Sequence, residues 1–393
     1  MRRHLDDPTS APSWYKASGA PERLGYPGEV TDDLPTRLAE VYAACPATIG
    51  WRRRPSPAAA LADLGAACTE LGITDWDVYA EHGAVERLET ETATLLGRPA
   101  AAFFPSGIMA QQAALRLHCE RAGSRRVALP DLSHLLVHEE DGPRLLQGLR
   151  FEYLTQGAQA PTAAHLAAIP GRLGAVLIEL PLRDAGCLLP TFDELAELAL
   201  ACRNRGVALH IDGARLWESV DYLGHPLPEI AAMAETVYVS FYKGLGGLAG
   251  SVLLGSEDLI AEAGLWRRRM GGTVYHSTAE AVSALVGLRQ RLPLMSDCVA
   301  WARSLAAGLP ATITVAPAVP HTNQFLVYAG GEPDAINARL LAHAEATGLA
   351  LGGPWRPTTE PGRARAELNI GDGALELDPH QVAETLGGLV TPA

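Results

Sequence analysis

Two side chains stand out for the chemistry that their types and settings permit. Only two lysines, Lys16 and Lys243, occur in the 393 residues. Lys243 closes the apolar run Thr236-Val-Tyr-Val-Ser-Phe-Tyr-Lys243 and is followed by Gly244-Leu-Gly246-Gly247. The β-branched and aromatic residues of that run suit a strand covered on both faces. The glycines let the backbone turn and approach a ligand closely. A primary amine at such a strand end is placed to form an imine with an aldehyde. A second apolar run, Gly206-Val-Ala-Leu-His-Ile-Asp212, ends in a carboxylate and continues as Gly213-Ala214-Arg215. A carboxylate at the mouth of a buried strand is costly unless a cation meets it.

A pyridinium nitrogen is such a cation. Pyridoxal 5′-phosphate (PLP) needs a lysine for its aldehyde and an acid that keeps its ring nitrogen protonated, so that the ring accepts electrons. Asp212 and Lys243, on successive strands, fit that pair. A third stretch fits the phosphate. The short strand Ala100–Phe104 runs through Pro105-Ser106-Gly107-Ile108 into a helix. A helix N-terminus there offers unbonded N–H groups and the positive dipole end to an anion, and Ser106 adds a hydroxyl.

The motifs His210-Ile-Asp212-Gly-Ala-Arg215 and Ser240-Phe-Tyr-Lys243-Gly-Leu-Gly resemble the signature of the threonine aldolase and β-eliminating lyase family, which are fold-type I PLP-dependent enzymes. The resemblance spans about residues 75–390. It implies an α/β fold: a large domain with a mostly parallel seven-stranded sheet between helices, and a small C-terminal α+β domain. It makes Lys243, His134 and Asp212 catalytic. It assigns Ser106, Gly107, Ile108, His134, Asp212, Arg215 and Lys243 to the cofactor, with no metal. His134 would lie flat on the pyridine ring, and Glu139 follows it at the family's spacing. Ile108 stands where the family usually has Thr, so one hydroxyl donor is lost. Arg365 matches the family's arginine for the substrate carboxylate and Arg215 is the second; a guanidinium fork matches that group's geometry. Arg363 is a rival on the same strand face. The family is oligomeric, which implies a homodimer or homotetramer. The basic run Arg267–Arg269 would lie near a subunit interface, as a possible source of a cation for the phosphate.

Three positions depart from the family. Its N-terminal Ser-Asp-Thr motif is replaced by Ala47-Thr-Ile-Gly-Trp51. The loop after the Glu179 strand, where aldolases often carry a His for the substrate hydroxyl proton, reads Leu180-Pro-Leu-Arg-Asp-Ala-Gly186. The stretch Gly271-Gly-Thr-Val-Tyr275-His276 replaces a Gly-Gly-Gly-Met-Arg-Gln pattern. His134, His138, His276 and Tyr275 are therefore all candidates for the base. The reaction the resemblance implies is retro-aldol cleavage of a β-hydroxy-α-amino acid to glycine, or another amino acid, and an aldehyde. The alternatives are β-elimination or other Cα–H chemistry, or a relic of the fold that only binds.

Several elements must position these residues. Strand Gly174–Glu179, a helix opened by the capping-box spacing Thr191…Glu194, and the Asp212 strand form a parallel βαβ unit. Ligands bind at the carboxyl ends of the strands in such sheets. Helices are expected over Pro57–Glu70, 85–96, Pro333–Thr347 and Pro379–Leu389. Strands are expected over Arg126–Leu129, Ala249–Gly255, Ala311–Ala316, Asn323–Tyr328 and Arg365–Ile370. The domain reading is an N-terminal arm over 1–45 with a short helix near Thr36–Ala44, a large domain over 46–294 and a small one over 295–393. The bulk composition is that of an ordinary soluble chain, 48% hydrophobic and 20% charged. A net charge of −13 argues against nucleic acid and anionic membrane as partners. No apolar run is long enough to span a bilayer, and the basic N-terminus lacks a signal-peptide core. Six scattered cysteines without a CxxC read as reduced core residues of a cytoplasmic protein.

Overall fold

The computed structural model describes residues 34–52 and 55–391; most of the expected N-terminal arm lies outside them. A short strand β1 (Ala47–Thr48) precedes the strands of a seven-stranded sheet: β2 (Ala100–Phe104), β3 (Arg126–Leu129), β4 (Arg150–Tyr153), β5 (Ala175–Glu179), β6 (Ala208–Gly213), β7 (Thr236–Ser240) and β8 (Ser251–Gly255). Their spatial order is β2-β8-β7-β6-β5-β3-β4. All run parallel except β8, which is antiparallel to both of its neighbours.

Both faces of this sheet are covered, as near-continuous apolar strands require. Along β5, Val176 and Ile178 enter one core with Leu209, Ile211, Val237 and Val239. The alternate residues Ala175 and Leu177 enter another, on the opposite face, with Val127 and Leu129. Helices Gly83–Leu95, Phe192–Arg205 and Thr278–Gln290 pack on the first face. Helices Gly107–Ala122 and Glu257–Arg269 cover the second. The crossover helix Phe192–Arg205 starts with a formed capping box: Thr191 Oγ1 accepts from Glu194 N, and Glu194 accepts from Thr191 N.

After residue 295 the chain builds a four-stranded antiparallel sheet, ordered β12-β13-β10-β9, from β9 (Ile313–Ala316), β10 (Gln324–Gly330), β12 (Arg356–Pro357) and β13 (Arg363–Asn369). The remaining strand, β11 (Leu349–Ala350), pairs in parallel with β1. Helices Met295–Gly308, Pro333–Thr347 and Pro379–Val390 close a separate core around Phe325, Val327, Ala364 and Leu368. Helix Leu34–Ala44 joins that core through the fully buried Leu38. Arg37 of this helix bonds Glu345 at 2.9 Å. Among the described residues no helix is long and apolar enough to cross a membrane, and none of the His, Cys, Asp and Glu groups forms a metal-binding cluster.

The strand read from Thr236 to Lys243 ends earlier, at Ser240. Residues 241–250 form a turn that leads into β8. Phe241 N bonds Gly250 O, and Gly247 N bonds back to Phe241 O at 2.7 Å. Helix Thr278–Gln290 holds this turn in place. A Cβ on Gly287 would lie 2.4 Å from Leu245 O. Backbone cannot yield as a flexible side chain can, so Gly287→Ala is expected to lower unfolding stability by about 1–3 kcal/mol. Urea denaturation of the variant against the parent measures it; an unchanged midpoint would show that the turn tolerates displacement.

Candidate active site

The carboxyl ends of β2, β3, β5, β6 and β7 supply Ser106–Gly107, His134, Glu179, Asp212–Arg215 and Lys243 along one edge of the sheet. Asp212, 4% exposed, is held from two sides. Its Oδ2 accepts from Gln111 Nε2 at 2.8 Å, and its Oδ1 from Ala214 N at 2.9 Å. Gln111 lies one turn into the helix that starts at Gly107, so its side chain falls on the same helix face. Ser240 Oγ donates to Ala214 O at 2.8 Å, and Trp217 Nε1 donates to Ser240 O at 2.9 Å. Those two bonds tie the end of β6 to the end of β7, where the lysine turn begins.

The Lys243 amine is held below its ordinary range, first by burial and then by the Arg215 guanidinium; Asp212 and Glu179 oppose that shift. A lowered amine pKa makes the neutral, nucleophilic form more available. Lys243 Nζ also lies 5.8 Å from the centre of the Tyr242 ring. Glu179 stands in register with Asp212 on the neighbouring strand. Burial, and next the Asp212 carboxylate, push Glu179 up to about 8. Its Oε1 accepts from His134 N at 2.6 Å. His134 Nδ1 faces Glu139 Oε1 at 3.2 Å, and the Glu139 side chain is fully buried.

The expected turn from strand Ala100–Phe104 through Ser106 into a helix forms. Ser106 caps helix Gly107–Ala122, with Oγ accepting from Met109 N at 3.3 Å. Gly107 is required by a close approach: a Cβ there would lie 1.9 Å from the Tyr238 hydroxyl oxygen. Ile108 is 40% exposed; its side chain lends no donor, and only its backbone N–H in the first helical turn can. Of the arginine run, Arg267 spends Nη1 on Phe103 O, at the end of β2.

Arg215 lies at the site, where its charge acts on Lys243 and on the buried Glu218. Arg365 is exposed on β13, opposite Arg356 and Tyr328. Two positions on, its strand neighbour Glu367 reaches the loop after β5 instead and pairs with Arg183 Nη2 at 3.0 Å. His276 and Tyr275 bond and stack with residues 76–79: His276 Nδ1 lies 2.6 Å from Asp77 O, and Tyr275 O accepts from Tyr79 N at 3.0 Å. Two buried polar atoms at the site edge, Gln111 Oε1 and Glu218 Oε2, have no hydrogen-bond partner among the described residues. Such atoms mark a site completed by something else. An amine, an anchored carboxylate, an anion-binding turn and a histidine ring on adjacent strand ends fit PLP.

Residues 58–331 match the model of the β-eliminating lyase family. The chain belongs to the threonine aldolase/β-eliminating lyase family. Low-specificity L-threonine aldolase 1 of Arabidopsis thaliana is 33% identical over 248 residues, 60% of this chain and 68% of that protein. A solved structure from Listeria monocytogenes, of a protein proposed to be an L-allo-threonine aldolase, superposes with a TM-score of 0.84 at 34% identity, covering 91% of this chain and 99% of that one. A second, from Exiguobacterium sp. 255-15 and proposed to be an aromatic amino acid β-eliminating lyase/threonine aldolase, gives 0.83 at 32% identity over 90% and 99%. The fold is that of the fold-type I PLP-dependent enzymes, and this member of the lyase family is an enzyme of that class.

Within this threonine aldolase-like lyase, sequence reasoning missed Gln111, Glu179, Arg183, Asp184 and Glu218 as site residues. Gln111 was legible from its i, i+4 spacing to Gly107. Glu179 ends its strand as Asp212 does, and that shared position was its signal. Arg183 and Glu367 offered none, because their contact joins distant parts of the chain.

The raised Glu179 carboxyl makes stability depend on pH. Its ordinary value is 4.5 and its folded value about 8. The stability it contributes is full below about 4.5 and is lost as pH rises through about 8. In the cofactor-free protein, Glu179→Gln is expected to remove that loss. Denaturant unfolding at pH 5 and pH 8 should show the variant gaining on the parent at the higher pH; equal slopes would disprove the assignment.

Proposed function

We propose that this enzyme cleaves a β-hydroxy-α-amino acid to glycine and an aldehyde, with PLP carried on Lys243. The observation that carries this reading is the amine of Lys243, lowered in pKa by burial and Arg215, on the same sheet edge as the anchored Asp212. The names of the relatives support the reaction. When bound, the cofactor supplies an aldehyde for the amine and an electron sink for the breaking bond. Lys243 would hold its aldehyde carbon, Asp212 its ring nitrogen, Ser106, Gly107 and Ile108 its phosphate, and His134 its ring face.

Arg215 makes no ion pair among the described residues and is the first choice for the substrate carboxylate. The Arg183 charge is already met by Glu367. Arg365 is the second choice, from the outer part of β13. Buried Phe241 and Trp217, with ring centres 6.1 Å apart, exclude water beneath the lysine turn, which strengthens each charge interaction there.

The same reading includes a homodimer or homotetramer located in the cytoplasm. Supporting the assembly, Trp76, Tyr79 and Tyr275 are 64%, 50% and 58% exposed and sit together. Supporting the compartment, all six cysteines are free. The division into domains over 46–294 and 295–393 belongs to this reading too, supported by two separate cores.

Lys243→Ala is expected to abolish the borohydride-reducible link to the cofactor and all turnover; a link surviving at another residue sinks the assignment. Asp212→Ala should keep amino acid binding and lose about a hundredfold or more in turnover, equivalent to ~3 kcal/mol of transition-state stabilisation. Parental turnover in that variant would remove Asp212 from its role. Product analysis separates the two lyase chemistries: glycine with an aldehyde for aldol cleavage, a keto acid with ammonia for β-elimination. Trp76→Glu should shift the sedimenting species towards monomer, and an active monomeric parent would end the assembly reading.

A further inference from the structure

The geometry points to His138, held by Asp184, as the base that takes the β-hydroxyl proton; this rests on the aldol reading above. The loop after β5 carries no histidine, but it carries Asp184, and Asp184 Oδ2 meets His138 Nε2 at 2.7 Å. A carboxylate here only accepts, so Nε2 bears the hydrogen, and in the neutral ring Nδ1 is the nitrogen that keeps its lone pair. That leaves the imidazole fixed in one tautomer and one orientation, as a base needs.

The placement suits the role. His138 follows the short helix His134–Val137, and its ring centre lies 5.1 Å from that of His134. About a third of its side chain is open to solvent, 32%, against 25% for Asp184. The loop is clamped at its other side by Arg183 to Glu367, and the Arg183 charge is felt at Lys243. The other candidates serve elsewhere: His134 is the ring proposed above for the face of the cofactor, while His276 bonds Asp77 O and the Tyr275 ring packs edge-on against Tyr79.

The step balances as follows. Nδ1 of His138 takes the β-hydroxyl proton, and the O–H pair becomes the second carbon–oxygen bond of the aldehyde. The Cα–Cβ bond breaks with its pair left on Cα, and one proton delivered to Cα completes glycine. His138 touches the reacting hydroxyl and is catalytic. Asp184 acts through it and is a positioning residue.

The test uses holoenzyme and two readouts, aldehyde release from β-phenylserine and exchange of the glycine α-proton in D2O followed by NMR. Exchange needs no β-hydroxyl base. His138→Phe is expected to lower kcat for aldehyde release by about 10²–10⁴-fold while glycine exchange, cofactor content and melting temperature stay near parental. His138→Gly should regain release on adding imidazole. Asp184→Asn should lower kcat by about tenfold at unchanged KM. Aldehyde release at the parental rate in His138→Phe overturns the assignment, and so does loss of release and exchange together. A parent that exchanges glycine but releases no aldehyde from any β-hydroxy amino acid overturns the aldol reading along with it.

Discussion

A carboxylate buried at a strand end constrains this molecule more than any other group. A carboxylate buried in an apolar sheet needs donors aimed at it. Gln111 from one helix and Ala214 from its own turn supply two. Supplying them fixes other parts in turn. The Gln111 helix must start at Gly107, hard against Tyr238. Ala214 must sit where Ser240 can bond its carbonyl, and Trp217 then bonds Ser240. The anion turn, the acid and the start of the lysine turn thus share one hydrogen-bonded frame, so a shift in any of them is felt by the others.

Around that frame the charges alternate. Glu179 and Asp212 face the site from adjacent strands, Arg215 and Arg183 oppose them, and Glu218 lies buried behind Lys243 and Arg215. In a low-dielectric setting such groups set one another's protonation at longer range than surface charges do. Burial lowers the amine and raises Glu179, so the site tends towards neutral partners before any ligand adds its own charges. Preorganisation of this kind spares the cost of reorienting solvent during the reaction.

Much of this was legible because local signals agreed with the global fold. Pro at the first turn and Gly348 past the end marked helix Pro333–Thr347, which forms over those residues. Thr191 and Glu194 marked the crossover helix, and the β-branched runs marked β5, β6 and β7. The family signature located Asp212 and Lys243. The misses have physical causes. Phe241 and Tyr242 have strand propensity, yet the Gly250 and Gly247 bonds turn the chain before them. Helix Thr278–Gln290 is buried over so much of its surface that no polar stripe marks a period. For Arg365 the strand was legible, since β13 forms over Arg363–Asn369.

The reversed direction of β8 has a consequence for how the lysine can travel. Because β8 runs against its neighbours, it begins at the ligand edge where β7 ends. Residues 241–250 therefore leave that edge and return to it without crossing the sheet. Their return lands beside β2, where Ser251 pairs with Phe104 and Ser251 Oγ bonds Phe104 O, next to the phosphate turn. Lys243 is thus carried on a loop tethered at both ends. In the function proposed above, a lysine freed from the cofactor would stay on a short leash beside the reacting carbon, with its amine within reach to act again.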